Sequence, residues 1–359
     1  MASRTEELLP LTALRGIAAW WVVLFHLRLF LVPYLPAEAL AVLARGNLAV
    51  DLFFLLSGFV IYLNYAQRVT PEPASVADFL FRRFARIYPL HLLVLAGFAA
   101  WYGAAVLLGP STLEEQRPGY FLASLLLVQN WGFTDRLDWN VPAWSISTEI
   151  VAYALFPAFL LLLAPAKRRS ATLVAALVLL APAVQLFFRL FGYHFPDAVP
   201  QTGLFRCLVQ FAMGMLLCEL WQRWRGAPQL APGLFGLAGL CAGAFVLAGA
   251  PVVPLAWAAL ILGLALAERG NPLSWRPLVW LGQVSYATYL CHYLVLVVFK
   301  FLFVEQGRPV PPVLLLAYLA AVLALSALLY HGFERPAQRW LLDRRRGRRA
   351  VPAALAAAE

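Results

Sequence analysis

Residues 11–33 read LTALRGIAAWWVVLFHLRLFLVP. The run is close to the ~20 residues that an α-helix needs to cross the hydrocarbon of a bilayer. It is too long for a signal peptide, and no small-residue cleavage pattern follows it. Yet it carries Arg15 and His26 inside otherwise apolar sequence. Working outward, nine further apolar runs follow at about 47–66, 88–108, 143–164, 171–190, 203–220, 230–249, 252–267, 279–303 and 312–333. A stretch from Tyr120 to Trp131 is too short to span and reads as an interfacial or re-entrant segment. The pattern predicts an all-α, polytopic transmembrane bundle of about ten spanning helices plus that short segment.

Composition agrees. The chain has 359 residues, 62% hydrophobic and 13% charged, about half the charge share of a soluble domain, and its mean hydropathy is +0.76. A soluble enzyme, a disordered chain and a collagen-like fibre are excluded. So is a transmembrane barrel, whose strands would alternate polar and apolar residues. Cys207, Cys218, Cys241 and Cys291 lie in or beside apolar runs without pairing or metal-type spacing, and read as buried thiols.

The net charge of +10 is explained by topology. With a cytoplasmic N-terminus, nineteen of the 28 Lys and Arg residues fall on the inner side. They include Arg4, Arg82, Arg83, Arg86, Lys167, Arg168 and the tail Arg344–Arg349. Both termini are therefore expected in the cytoplasm, with no nucleic-acid partner. The basic tail reads as an anchor against anionic membrane lipid. Residues 1–343 are expected to form one membrane-embedded domain and 344–359 a basic, then alanine-rich, cytoplasmic tail, with no soluble domain appended.

Ionisable groups in membrane helices are expensive and mark candidate sites. Arg15 and His26 are eleven residues apart, which puts them on one face about 16 Å apart along the axis. Read singly, Arg15 would snorkel to the interface and His26 would satisfy a neighbouring helix. Their shared stripe points to a site. The second span carries Asn47 and Asp51 at i, i+4, then Ser57-Gly58, which reads as a small packing patch. The fourth carries Ser145, Glu149 and Tyr153 on one face, and the ninth Ser285, Tyr289 and His292. Counting from each helix entrance at 1.5 Å per residue puts His26, Asp51, Glu149 and His292 in one outer layer. Arg15 falls at the inner surface with Arg82, Arg83, Arg86, His331, Glu334 and Arg335.

A histidine beside a carboxylate suits proton transfer from a hydroxyl, and a ring of guanidinium groups suits phosphate. No phosphate-binding glycine loop, dinucleotide fingerprint or zinc motif is present, and the five scattered histidines argue against a metal cage. An acyl-CoA donor satisfies both layers, with its phosphates at the inner mouth and its acyl group led toward His26.

Several motifs together resemble the acyltransferase family 3 proteins, bacterial integral-membrane O-acyltransferases. They are Arg15-x10-His26, the run Asp51 to Phe59, Arg83-x-x-Arg86 with Tyr88-Pro89, Trp144-Ser145-x-Ser147-x-Glu149, Ser285-Tyr286-x-x-Tyr289-Leu-x-His292, and Phe333-Glu334-Arg335-Pro336. The resemblance runs from about residue 10 to 340. It implies transfer of an acyl group, commonly acetyl, from cytoplasmic acyl-CoA to hydroxyls of surface polysaccharides, lipid-linked glycans or, in some members, macrolide-type molecules, in the bacterial inner membrane. It carries over Arg15 and His26 as the essential pair and Arg83 and Arg86 as donor contacts, and Asp51 and Glu149 as site carboxylates. Ile150 and Val151 depart from the polar residues usual after the glutamate.

The resulting expectation makes His26 the general base or a transient acyl carrier. Arg15, Asp51 and Glu149 are the other catalytic residues, and Arg82, Arg83 and Arg86 hold the donor. Ser145, Tyr153, Ser285, Tyr289 and His292 line the site, and no metal is involved. The alternative is a transporter of a lipid-linked sugar or a proton-coupled solute, since buried His and carboxylates also build proton relays. Transporters, however, tend to show paired repeats, and none is visible. A purely structural scaffold would have no use for these groups in hydrocarbon.

Overall fold

The computed structural model describes residues 7–108, 116–164, 169–193, 198–249, 252–305 and 307–356, with side chains to residue 346. Arg4, Lys167, Arg168 and His194, and the side chains of Arg348 and Arg349, lie outside the described residues. The helices are α1 (Leu9–Leu27), α2 (Ala37–Ala44), α3 (Ala49–Tyr65), α4 (Pro73–Leu108), α5 (Pro118–Leu125), α6 (Trp144–Leu162) and α7 (Ser170–Leu190). After them come α8 (Val199–Trp224), α9 (Ala231–Ala248), α10 (Val253–Leu266), α11 (Arg276–Phe303), α12 (Pro312–Leu329) and α13 (Arg335–Ala356). No strand occurs among the described residues.

Among the described residues nine helical stretches are long and apolar enough to cross a membrane, against ten spans expected. The tenth is α10, whose 14 residues rise only about 21 Å. It can be short because protein, not lipid, surrounds it: eleven of its residues are buried. It packs between two of the bundle's helices. Trp257 packs on Trp21 of α1 at one end, and the Ala265 carbonyl accepts the Trp221 indole N–H of α8 at the other. Two boundaries differ as well. α4 begins at Pro73 rather than near 88, because Arg82, Arg83 and Arg86 depress hydropathy without breaking the helix. The last span does not stop at 333. A π-turn over Tyr330–Glu334 carries it into α13, so one helical rod runs from α12 through residue 343.

The bundle is built on two pairs of parallel helices distant in sequence. On α1 and α11, Arg15 meets Gly282 and Ser285, and His26 meets His292. On α3 and α8, Asp51 meets Arg206 and Tyr62 donates to Glu219 at 2.5 Å. In lipid there is little hydrophobic gain between helices, so association relies on close packing at small residues. Each pair supplies it. A Cβ on Gly16 would stand 2.6 Å from the Gly282 nitrogen, and one on Gly58 would run into the Phe211 carbonyl. The packing role read for the Ser57-Gly58 patch thus holds for Gly58.

Between α5 and α6 the chain dips into the bundle with no regular structure beyond a 3-10 turn at Val141–Ala143. Such backbone survives at depth only inside protein, and Gln129, Asn130 and Asn140 are buried there. Hydrogen bonds satisfy part of this segment, while Gln129 Oε1, Asn130 Oδ1 and Asn140 Oδ1 are buried without a partner. Asn130 N donates to Ser147 Oγ (3.2 Å), Trp131 Nε1 to the Ser147 carbonyl (3.0 Å), and Asn140 Nδ2 to the Leu290 carbonyl (3.2 Å). At its outer edge Arg117 donates to Asp135 at 2.7 Å, which holds that carboxyl below its ordinary range. Because this segment enters the bundle first, α6 begins level with Tyr289, well below the surface: Ser145 Oγ lies 2.9 Å from the Tyr289 hydroxyl.

Candidate active site

A cavity of about 430 Å³ opens between α1, α3, α4, α6 and α11. That is an ordinary size for a small-molecule site. Its mouth is marked by exposed Glu7, just before α1, and by Gln338 in the first turn of α13. The walls are largely apolar, with Phe53, Phe54, Phe59 and Ile87 among them, and Ser145 and Tyr289 lie at the deep end.

Three guanidinium groups reach the cavity. Arg15 lies on α1 where Gly16 brings α11 close, and its Nε and Nη2 donate to the Gly282 carbonyl at 3.2 and 3.0 Å. Nε also reaches Ser285 Oγ at 3.2 Å. Nη1 makes no hydrogen bond among the described residues. Arg83 donates to the Tyr65 hydroxyl at 2.7 Å, and its Nε is buried without a partner. Arg86 pairs with Glu334 of the π-turn and lies over the Tyr286 ring at 5.5 Å. Of the group expected around Arg15, Arg83 and Arg86 line the cavity and Glu334 pairs with Arg86, but His331 sits beside the Trp280 indole and Arg335 over the Tyr330 ring, and neither lines the cavity. Arg82 points away from the cavity into a separate small cleft, where it donates to Asp78 at 2.8 Å.

Facing the arginines is a carboxylate held by hydroxyls. Glu149 accepts from Ser57 of α3 and from Tyr153, one turn on along α6, at 2.6 Å. Ser57 and Tyr153 are themselves 3.2 Å apart. This corrects the layer assignment of Glu149. Counting depth from the helix entrance put it beside His26. Since α6 starts low, Glu149 comes level with Ser57, six residues or about 9 Å beyond Asp51 along α3. It also corrects Ser57, which is more than packing.

The outer group divides. His26 packs against His292 (ring centroids 5.3 Å apart) and Tyr293 (5.1 Å), makes no hydrogen bond among the described residues, and does not line the cavity. His292 is fully buried. Its Nδ1 lies 3.1 Å from the Thr288 carbonyl, which makes Nδ1 the protonated nitrogen, and its Nε2 has no partner. The Tyr289 ring stands 6.1 Å from His292 and also forms the deep end of the cavity, so two rings, Tyr289 and His292, lie between the cavity and His26. Asp51 contacts neither histidine. It is buried in an ion pair with Arg206 and accepts from Gln210, while Arg206 lies 5.8 Å over Trp144.

Sequence reasoning did not find Arg206 and Gln210. The signal was available: residues 206 and 210 form an i, i+4 polar pair inside a span, matching Asn47 and Asp51. Tyr65 and Glu7 carried no such signal. The cysteines are buried free thiols. Among the described residues no three His, Cys, Asp or Glu side chains gather as a metal site would require.

A family model described as an acyltransferase domain matches residues 10–331. The acyltransferase MdmB of Streptomyces mycarofaciens is 32% identical over 96% of this chain and 95% of its own length. The exopolysaccharide production protein ExoZ of Rhizobium meliloti is 30% identical over 85% of this chain and 92% of its own. A putative peptidoglycan O-acetyltransferase, YrhL of Bacillus subtilis, is 27% identical over 81% of this chain and 50% of its own. No solved structure matches.

Proposed function

Because the chain belongs to the acyltransferase family and is a multi-pass membrane O-acyltransferase, we propose that it takes an acyl group, commonly acetyl, from cytoplasmic acyl-CoA. The acceptor is a hydroxyl of a cell-surface polysaccharide, a lipid-linked glycan or a similar molecule. The observation that carries this reading is the cavity with three arginines at one end of the bundle and a chain of rings leading from its deep end to His26. Guanidinium groups grip phosphate bidentately, and Arg15 Nη1 and the unpartnered Arg83 Nε are donors suited to it. The distribution of Lys and Arg supports placing that mouth, and both termini, on the cytoplasmic side of a bacterial inner membrane.

Arg83 and Arg86 would hold the donor's phosphates, and Arg15 would fix its inner portion against α11. When bound, the thioester supplies an activated acyl carbon. The remaining work falls to the chain's own residues. His26 serves as general base on the acceptor hydroxyl, which arrives from the far side. As the new carbon–oxygen bond forms and the carbon–sulfur bond breaks, the hydroxyl proton passes to the imidazole and ends on the departing sulfur. His292, with its tautomer set by Thr288, orients and buffers His26. Glu149, tied to Ser57 and Tyr153, balances the arginine charge in the cavity. Asp51 has a different part here: its ion pair with Arg206 positions α3 against α8.

The names of ExoZ and YrhL support a glycan acceptor. Mass spectrometry of surface glycans and lipid extracts from wild-type and deletion strains tests it. Loss of an ester-linked acyl increment from one glycan names the acceptor; unchanged glycans and lipids refute it.

A further inference from the structure

For His26 to act on the donor, the acyl carbon must come near its imidazole. Yet His26 does not line the cavity, and the Tyr289 and His292 rings stand between them. Tyr289 is the ring that closes the deep end. It is buried, and Phe53 of the cavity wall packs edge-on against it at 5.6 Å. Its hydroxyl lies 2.9 Å from Ser145 Oγ and donates to the Pro142 carbonyl at 3.0 Å. Ser145 Oγ reaches the same carbonyl at 3.1 Å.

This latch is built to let go. Three contacts join Ser145, Tyr289 and the carbonyl, but the two hydroxyls carry only two hydrogens between them. If the Tyr289 hydroxyl leaves, Ser145 still donates to the Pro142 carbonyl, so no buried acceptor is stranded. Stranding a buried group costs more than losing one bond, and here it is avoided. The backbone on either side of the ring is tied separately, since Asn140 Nδ2 donates to the Leu290 carbonyl at 3.2 Å. Beyond the ring, His292 Nε2 is buried without a partner, and the His26 ring is 5.3 Å from His292. Displacing the Tyr289 side chain would join the cavity to both imidazoles.

We propose that the Tyr289 ring is a movable partition between the donor cavity and His26, latched by Ser145 and the Pro142 carbonyl. The inference rests on the reading of His26 as general base toward an acyl-CoA donor. Within that reading the partition has a chemical use. A thioester left in open contact with a general base and water hydrolyses. Water's oxygen bonds to the acyl carbon, the carbon–sulfur bond breaks, and a proton from the water passes through His26 to the sulfur. A closed ring keeps that loss small, and its displacement admits the acyl group for transfer.

The test needs no acceptor. Full-length protein in phosphatidylcholine nanodiscs is given acetyl-CoA alone, and acetate and free thiol are measured. The wild type should hydrolyse it slowly, in proportion to the fraction of molecules with the ring displaced. Tyr289→Phe keeps the ring but loses its latch, and should raise the rate about tenfold, the factor that one hydrogen bond is worth in a two-state equilibrium. Ser145→Ala removes a single oxygen, keeps the test decisive if Tyr289→Phe folds poorly, and should raise the rate by a smaller factor. Adding His26→Ala to Tyr289→Phe should abolish the increase. Hydrolysis that stays level or falls in both single variants overturns the proposal, because a merely structural tyrosine would give that result. An increase that survives His26→Ala also overturns it, since water would then be entering a loosened bundle elsewhere. Acetyl-CoA binding is followed calorimetrically in each protein. If none binds, the donor reading fails and takes the partition with it; binding without the changes in hydrolysis overturns the partition alone.

Discussion

Replacing Arg206 with methionine removes the cation from a pair in which Arg206 and Asp51 are 1% and 0% exposed. The Asp51 carboxylate would keep Gln210 but lose both guanidinium hydrogen bonds. Stranding one member of a buried pair costs about 3–5 kcal/mol, whereas replacing both by apolar residues of similar volume is often neutral. Arg206 also covers Trp144, and losing that contact adds about 1 kcal/mol. Arg206→Met and Asp51→Leu should therefore each destabilise the protein by several kcal/mol, while the double variant recovers most of the loss. The resulting coupling should exceed about 2 kcal/mol. Equilibrium unfolding in mixed micelles measures all four proteins, and thiol release from acyl-CoA is followed beside it. Additive losses would refute the pairing argument. Recovered stability with absent turnover would return Asp51 to the chemistry.

Glu149→Gln keeps an acceptor for Ser57 and Tyr153 but removes the charge facing the arginines; thermal unfolding should shift by less than about 1 kcal/mol while turnover falls at least about tenfold. Arg15→Lys cannot reproduce the two-nitrogen grip on the Gly282 carbonyl and should raise the KM for donor at least about tenfold in steady-state assays; an unchanged KM would make Arg15 a topology anchor. Gly282→Ala drives a Cβ into the Thr12 carbonyl. It should cost about 1–3 kcal/mol in the same unfolding assay and lower turnover too, because the Arg15 acceptor moves with it.

How far the sequence carried the fold depended on whether a signal was local. Spans were legible because bilayer thickness sets helix length, and the 11-residue spacing of Arg15 and His26 was legible because helical periodicity is fixed. Both residues do face α11. The start of α4 was hidden because an arginine-rich half lowers hydropathy while remaining a good helix former. The depth of Glu149 was hidden because it depends on the course of residues 127–143, which are buried toward both ends and exposed in the middle, with Leu127 and Trp139 at positive φ, and no periodicity encodes that. The Asp51–Arg206 pair spans 155 residues. Only the matching i, i+4 polar pairs hinted at it. Arg82 and Arg83, adjacent in sequence, were grouped by proximity, yet neighbours on a helix point about 100° apart and serve different hollows.

In the proposed reaction His26, beyond the rings at the deep end of the arginine-lined cavity, takes the acceptor's proton. This step is tested most directly by thiol release from acetyl-CoA, with acceptor present, by purified wild-type protein and a His26→Ala variant matched for folding. The wild type should turn over, and the variant should lose at least about 10²-fold, the usual scale for removing a general base. Undiminished turnover by His26→Ala would contradict it.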